Sequence, residues 1–261
     1  MIEKFFNVRG QETEEHWVSI SDVMAGLMVI FLFIAISYMV NANRKTERIT
    51  ALRDKIEKLV DAYRNLQEHL AKDLQDEFEA DLAKEKWKGY LDMETLSIRF
   101  KKPFPPGEAN VPEPFKSVLS KFFPRYIAIL TKPKYRDEID EIRIEGHTSS
   151  EWMGESKLEK DYSEEDAAYL ENMELSQNRA RNVLQYVLRI NRPEMTQNKK
   201  WIKKNLTANG LSSSKPIPNS DGKENKEESR RVEFRVVTKS EKLIDEIKEL
   251  MEEFDKEGEI N

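Results

Sequence analysis

The sequence predicts one membrane-spanning helix near the N-terminus, a coiled-coil-like linker helix and then a two-layer α/β domain, and three patterns predict them. In a chain of 261 residues that is 35% Asp, Glu, Lys and Arg, the stretch from Val23 to Val40 holds none of these. Immediately beyond it, apolar residues recur at alternating steps of three and four. Past residue 89, short alternating strands are interleaved with longer amphipathic segments, the order that gives a sheet covered by helices.

The apolar run is roughly 18 residues, and at about 1.5 Å per residue a helix of that length spans about 27 Å, close to the hydrocarbon thickness of a bilayer. With its flanks it reads as a transmembrane helix over residues 17–40. A cleaved signal peptide is the competing reading, since Val40-Asn41-Ala42 resembles a small-residue cleavage site. Against it stand the length of the apolar core, the acids Glu12, Glu14 and Glu15 before it, and Asp22 inside it. Lys4 and Arg9 precede the span, whereas Arg44, Lys45, Arg48, Arg53 and Lys55 follow. Counting these would keep the C-terminal side in the cytoplasm, but that rule weakens when a long domain follows.

Asp22 has two readings. A carboxylate well inside a lone span costs about 2.5 to 3.5 kcal/mol on insertion scales, so it points to function. Alternatively, Ser19 to Asp22 forms a capping box at a helix start, where an acid is favoured by the helix dipole. The start of the helix decides: if His16 and Trp17 are helical, Asp22 lies more than a turn inside. Ala25 and Gly26 are small enough to allow close helix approach.

The linker helix, residues 41–88, contains no Pro or Gly. Ile49, Leu52, Ile56, Leu59, Tyr63, Leu66 and Leu70 form a heptad seam suited to a dimeric coiled coil. The step then changes to four at Leu74, Phe78 and Leu82, a stutter that unwinds a coiled coil or turns the helix onto another surface. A single amphipathic helix lying on its own domain fits the same spacing.

Gly89 is expected to end that helix. Thr95–Phe100 alternates as a strand, and the proline-dense "KKPFPPGEANVPEP" is a loop. Phe115–Leu130 reads as a helix and "EIRIEG" as a strand entering a turn. Residues 149–170 read as an exposed acidic insertion, and Leu175–Ile190 as a helix with Ala180, Val183, Leu184, Val187 and Leu188 inward. A short strand near Leu206–Ala208, a polar loop, a strand at Arg231–Val237 and a charged helix over residues 241–261 complete the pattern. The net charge of −6 with mixed signs leaves no basic footprint for nucleic acid, and the absence of cysteine excludes a disulfide framework or thiolate metal site. His147 reads as a buried turn residue in a chain whose three histidines show no metal spacing.

"IEGHTSS" (residues 144–150), "NMELSQNRARNVLQYVL" (172–188), the "ANG" that follows and "RRVEFRV" (230–236) together resemble the OmpA-like peptidoglycan-binding domain, placed over residues 89–240. A single acid-bearing span, a linker helix and such a domain resemble the B subunit of MotB-type rotary stators. The Ser-Ile-Ser-Asp and Met-Ala-Gly-Leu-Met runs look most like the ZorB branch found in Zorya anti-phage systems.

The resemblance implies a bacterial inner-membrane protein with residues 1–16 in the cytoplasm and its C-terminal domain in the periplasm. It implies a homodimer within a pentameric MotA- or ZorA-like subunit, conducting a cation, proton or sodium, through Asp22 with Ser19 and Ser21 as neighbours on the ion path, and with no cofactor. It implies peptidoglycan contact through Asn172, Leu175, Arg179, Thr148 and Ser149. An Arg suits a carboxylate because its guanidinium forms two parallel hydrogen bonds. The family's acid after Gly-His-Thr is here Ser149, leaving either Glu151 or Glu155 to replace it, or weaker binding. Arg230 and Arg231 are expected to be structural. A flagellar stator subunit and a non-conducting membrane-to-wall tether are the alternative functions. No nucleophile and base constellation or phosphate loop suggests an enzyme.

Overall fold

A computed structural model describes residues 6–85, 87–152, 154, 162–239 and 247. Helix α1 runs Phe6–Leu82, so it begins well before residue 17 and includes most of the expected N-terminal tail. The expected charged helix over 241–261 lies outside the described residues apart from Ile247. The chain divides into two units, one ending at Lys58 and the other beginning at Leu59.

In the first unit the helix is apolar all round between Val23 and Val40, with Met28 74%, Phe33 68% and Tyr38 78% exposed. An 18-residue window reaches a mean hydropathy of 2.6. A soluble surface helix shows one apolar stripe; a helix apolar on every side needs an apolar surrounding. Beyond it, Thr46 and Thr50 donate their hydroxyls to the carbonyls of Ala42 and Thr46, at 3.0 and 2.9 Å.

The second unit is a five-stranded sheet with helices on one face. Its strands are β1 (Gly89–Asp92), β2 (Ser97–Lys101), β3 (Ile139–Gly146), β4 (Leu206–Gly210) and β5 (Arg231–Thr238), in the order β1-β2-β5-β3-β4. Only the β3–β4 pair is parallel among these neighbours. The helices are α2 (Glu113–Leu130), α3 (Pro133–Arg136), α4 (Glu164–Val187), α5 (Pro193–Gln197), α6 (Lys199–Asn205) and α7 (Lys226–Ser229). Alternation sends Ile98, Phe100, Ile142, Ile144, Val232, Phe234 and Val236 to the helical side, where all are buried. Arg99, Arg143, Glu145 and Glu233 point the other way.

The last turns of α1 belong to this core. Leu70, Leu74, Phe78 and Leu82 are buried in it, and Phe78 stands 5.1 Å ring to ring from Phe122 of α2. Phe122 in turn packs on Phe100 of β2 and Phe234 of β5 at 5.1 and 5.0 Å. The stutter therefore marks where the helix turns its apolar row onto the domain, and the compact unit starts at Leu59 rather than at residue 89. Asp73 fastens the same stretch: it lies 2.9 Å from Lys132 and 3.0 Å from Lys134.

Two further expectations change. Gly89 opens strand β1 instead of merely closing a helix, and a Cβ there would come within 3 Å of the Arg99 carbonyl. Residues 164–170 are the first turns of α4, not loop: Ser163 caps them, accepting from Asp166 N, with three acids in the first turn.

Candidate functional site

Asp22 lies inside α1, more than a turn past His16 and Trp17, both of which are helical. An N-cap residue must sit at a helix start with non-helical backbone, so the capping reading of Ser19 and Asp22 is overturned. Asp22 and Ser21 are exposed on a helix whose following five turns are apolar. The side chain of Ser19 lies outside the described residues.

The other candidate residues gather at the C-terminal end of β3. Here the chain leaves the sheet through His147, whose N–H donates to Arg231 O at 3.0 Å, and Thr148, whose N–H donates to Ser212 O at 2.9 Å. Thr148 and Ser149 are both buried, and Thr148 Oγ1 has no hydrogen-bond partner among the described residues. Helix α4 comes against this turn with no room to spare. A Cβ on Gly146 would fall within 3 Å of Ser176 O, and one on Gly210 within 3 Å of Gln177 N. Those two glycines let the helix and the strand ends touch backbone to backbone.

Ser212 locks the contact. It is fully buried at φ 49°, a left-handed conformation costly for a residue with a Cβ. Its N–H donates to Ser176 Oγ at 3.0 Å and its hydroxyl to Tyr169 O at 2.7 Å. Nothing in "LSSSKP" marks that serine out, because its role comes from residues far away in the chain.

Along α4, Asn172 is buried and donates to Glu151 O at 3.2 Å, Leu175 is half-buried, and Arg179 is buried two turns from Asn172. Arg179 donates through Nε to Glu108 O at 2.8 Å and through Nη2 to Pro105 O at 3.0 Å, with its guanidinium 5.1 Å from the Phe104 ring centre. Asn182 adds a bond to Ala109 O at 2.9 Å. The proline-dense loop is thus clasped to α4. Burial, then the like charge of Arg230, outweigh Glu108 and bring the Arg179 guanidinium down to about 10. No carboxylate forms an ion pair with Arg179 among the described residues.

Arg230, expected to be structural, reaches back to this turn: its Nη1 lies 3.5 Å from Ser149 Oγ. Arg231 is the structural one, buried and bonded to Glu233 and to the carbonyls of Lys215 and Ser229. Of the acids expected near Ser149, Glu151 is paired with Lys226. Glu155 lies outside the described residues. Glu224 comes instead to Ser150, accepting from its N–H at 3.1 Å and its hydroxyl at 2.5 Å.

Behind the turn lies a second charged cluster. The ligand atoms of Glu145, His147 and Glu233 lie within 4.8 Å of one another, a spacing that suits a cation. Glu233 Oε1 already accepts from Arg231 Nε at 2.5 Å and faces Arg99 Nε at 3.0 Å, and these guanidiniums supply the positive charge a metal would bring. The cluster is therefore an ion network that stiffens the strand ends.

No family model matches the chain. Among curated proteins, the Zorya protein ZorB of Escherichia coli is 41% identical over 239 residues, covering 90% of this chain and 93% of that protein. Among solved structures, a MotB-like protein from Desulfovibrio vulgaris is 22% identical with a TM-score of 0.43, covering 69% of this chain and 94% of the other. The periplasmic domain of Helicobacter pylori MotB is 18% identical with a TM-score of 0.36, covering 60% and 85%.

Proposed function

The chain belongs to the ZorB family, and from that premise we propose that it is the B subunit of an ion-driven stator, anchored at once in the inner membrane and in peptidoglycan. The observation that carries this reading is the extent of the likeness, which at 90% of the chain takes in more than the α/β domain. In this reading two copies sit inside a ring of A-type subunits, with N-termini in the cytoplasm and α/β domains in the periplasm. Family membership favours a role in anti-phage defence over flagellar torque.

Asp22 is the cation carrier. A carboxylate on a helix of this kind can be neutral against an apolar wall and charged against a hydrated path, and alternation between the two couples ion movement to rotation of the surrounding ring. Its place more than a turn inside α1 supports that role. The transported cation, a proton or sodium ion, is the cargo.

At the other end, Thr148, Ser149, Asn172, Leu175 and Arg179 hold the peptidoglycan stem peptide. Arg179 keeps Nη1 free of the bonds that fix its Nε and Nη2 to the loop, and that nitrogen is the one left for a ligand carboxylate.

The test is Asp22→Asn in the complete complex. The variant is expected to assemble with its A-type partner while ion flux in proteoliposomes and protection against phage are lost. Flux and protection equal to wild type would leave only the tether reading.

A further inference from the structure

We propose that Glu224 supplies the acidic half of the ligand site in place of the acid absent at position 149, so that the site takes the amino-and-carboxylate end of a diamino acid rather than a bare anion. The proposal rests on the peptidoglycan reading above and assigns it a residue that no sequence motif marks.

Three observations carry it. First, consecutive residues of one turn are met by opposite charges. Ser149 Oγ lies 3.5 Å from the Arg230 guanidinium, and Ser150 donates to the Glu224 carboxylate through both its N–H and its hydroxyl.

Second, those charges do not neutralise each other. Arg230 and Glu224 form no ion pair among the described residues, and neither pairs elsewhere there. Glu227, which does feel Arg230, is tied to Lys102. With Arg179 also lacking a carboxylate, two guanidiniums and one carboxylate around the turn are hydrogen-bonded to neutral groups, with no opposite charge paired to any of them among the described residues. A buried or half-buried charge that no opposite charge offsets is costly, and a ligand carrying both signs on neighbouring atoms satisfies all three.

Third, Glu224 is held in place rather than trailing from a loose loop. It closes a tight hairpin, bridging to Pro218, with Asn219 and Lys223 bonded across the turn and Gly222 at φ 80°. Asn225, next in the chain, donates to Ile217 O at 2.7 Å and caps α7. The carboxylate is delivered from more than seventy residues away to the neighbour of the position where the family carries its own acid.

The chemistry follows from the charges. Arg179 and Arg230 take the carboxylate, with planar guanidiniums suited to two parallel bonds, and Glu224 takes the ammonium on the same carbon.

The experiment uses the full chain purified with its membrane partner and two probes. One is a muramyl tripeptide ending in meso-diaminopimelate; the other is the same peptide acetylated on its free amine. Wild type is expected to bind the free-amine peptide at least tenfold more tightly. Glu224→Gln keeps an acceptor for Ser150 but loses the charge, and is expected to bind both peptides equally. Adding Ser149→Asp to that variant should restore the preference. Glu224→Gln retaining the preference would overturn the proposal and leave peptidoglycan binding intact. So would a wild type that takes the acetylated peptide as well, which would make the site an anion clamp of Arg179 and Arg230. Wild type binding neither peptide nor isolated sacculi removes the underlying reading, and the proposal with it.

Discussion

Glu233 is 4% exposed on the face of the sheet away from the helices, and its charge survives there only through its neighbours. Burial opposes ionisation most strongly, but Arg231, His147 and Arg99 together outweigh it and hold the carboxyl below its ordinary value. A lowered carboxyl contributes stability that is present above the unfolded value and is lost as pH falls through the folded one. Glu233→Gln should therefore cost about 3 kcal/mol near neutrality, because it leaves two guanidiniums without their shared partner. Thermal melts of the purified chain should show the gap from wild type widest above the ordinary glutamate range and closing as pH falls below it. A gap independent of pH would mean that the charge is not what the network uses. At this scale the sequence was legible where a motif fixes a residue's place in the fold: Asn172 and Arg179 lie two turns apart on one helix, both buried, as the resemblance implied. It was silent where a role depends on the fold: Ser212, Arg230 and Glu224 matter because distant segments place them at one turn, and no local pattern announces that.

Among elements, the strong periodicities were legible and the short ones were not. Helix α2, strands β3 and β5, and the core of α4 lie where their apolar spacing puts them. Strand β1, with four half-buried residues, and the short helices α3, α5, α6 and α7 carry too few repeats to show a period. The instructive case is the end of α1. The seam to Leu70 reads as one face for a partner helix, yet Leu66 packs against the core of its own domain and Leu70, Leu74, Phe78 and Leu82 lie within it. The same step-of-four row serves either use, and only the presence of α2 across from it, with Phe122 at 5.1 Å from Phe78, distinguishes them. A fragment spanning residues 59–239 should fold to a cooperative, soluble unit, whereas one spanning 89–239 should aggregate, since it leaves the groove for four large apolar side chains open to water. Within the longer fragment, Phe78→Ala should cost about 3 to 5 kcal/mol in denaturant unfolding. Equal stability of the two fragments would assign the end of α1 to the linker after all.

For the whole molecule, two uses of one helix are separated along its length. Among the described heptad positions after the apolar span and before Leu59, Ile49 is 57% exposed and Ile56 half-buried, and neither belongs to the α/β core. Apolar side chains repeating at heptad spacing on a polar helix are stabilised by burial against a second copy, and the stator proposed above, with two spans in one ring, would bring those copies together. The chain holds no cysteine, so a single introduced thiol reports on that pairing without background. Ile56→Cys, on the seam, should give a disulfide-linked dimer in membranes under mild oxidation, because paired seam positions approach within the reach of a disulfide. Asp54→Cys, two residues away but on the opposite side of the heptad, should remain monomeric under the same oxidation. The reverse result, or equal cross-linking at both sites, would exclude a coiled coil in this stretch. A seam that cross-links above Leu66, beside a core that needs Leu70 to Leu82, would mean that the helix changes partners at its stutter, from a second copy of the chain to its own domain.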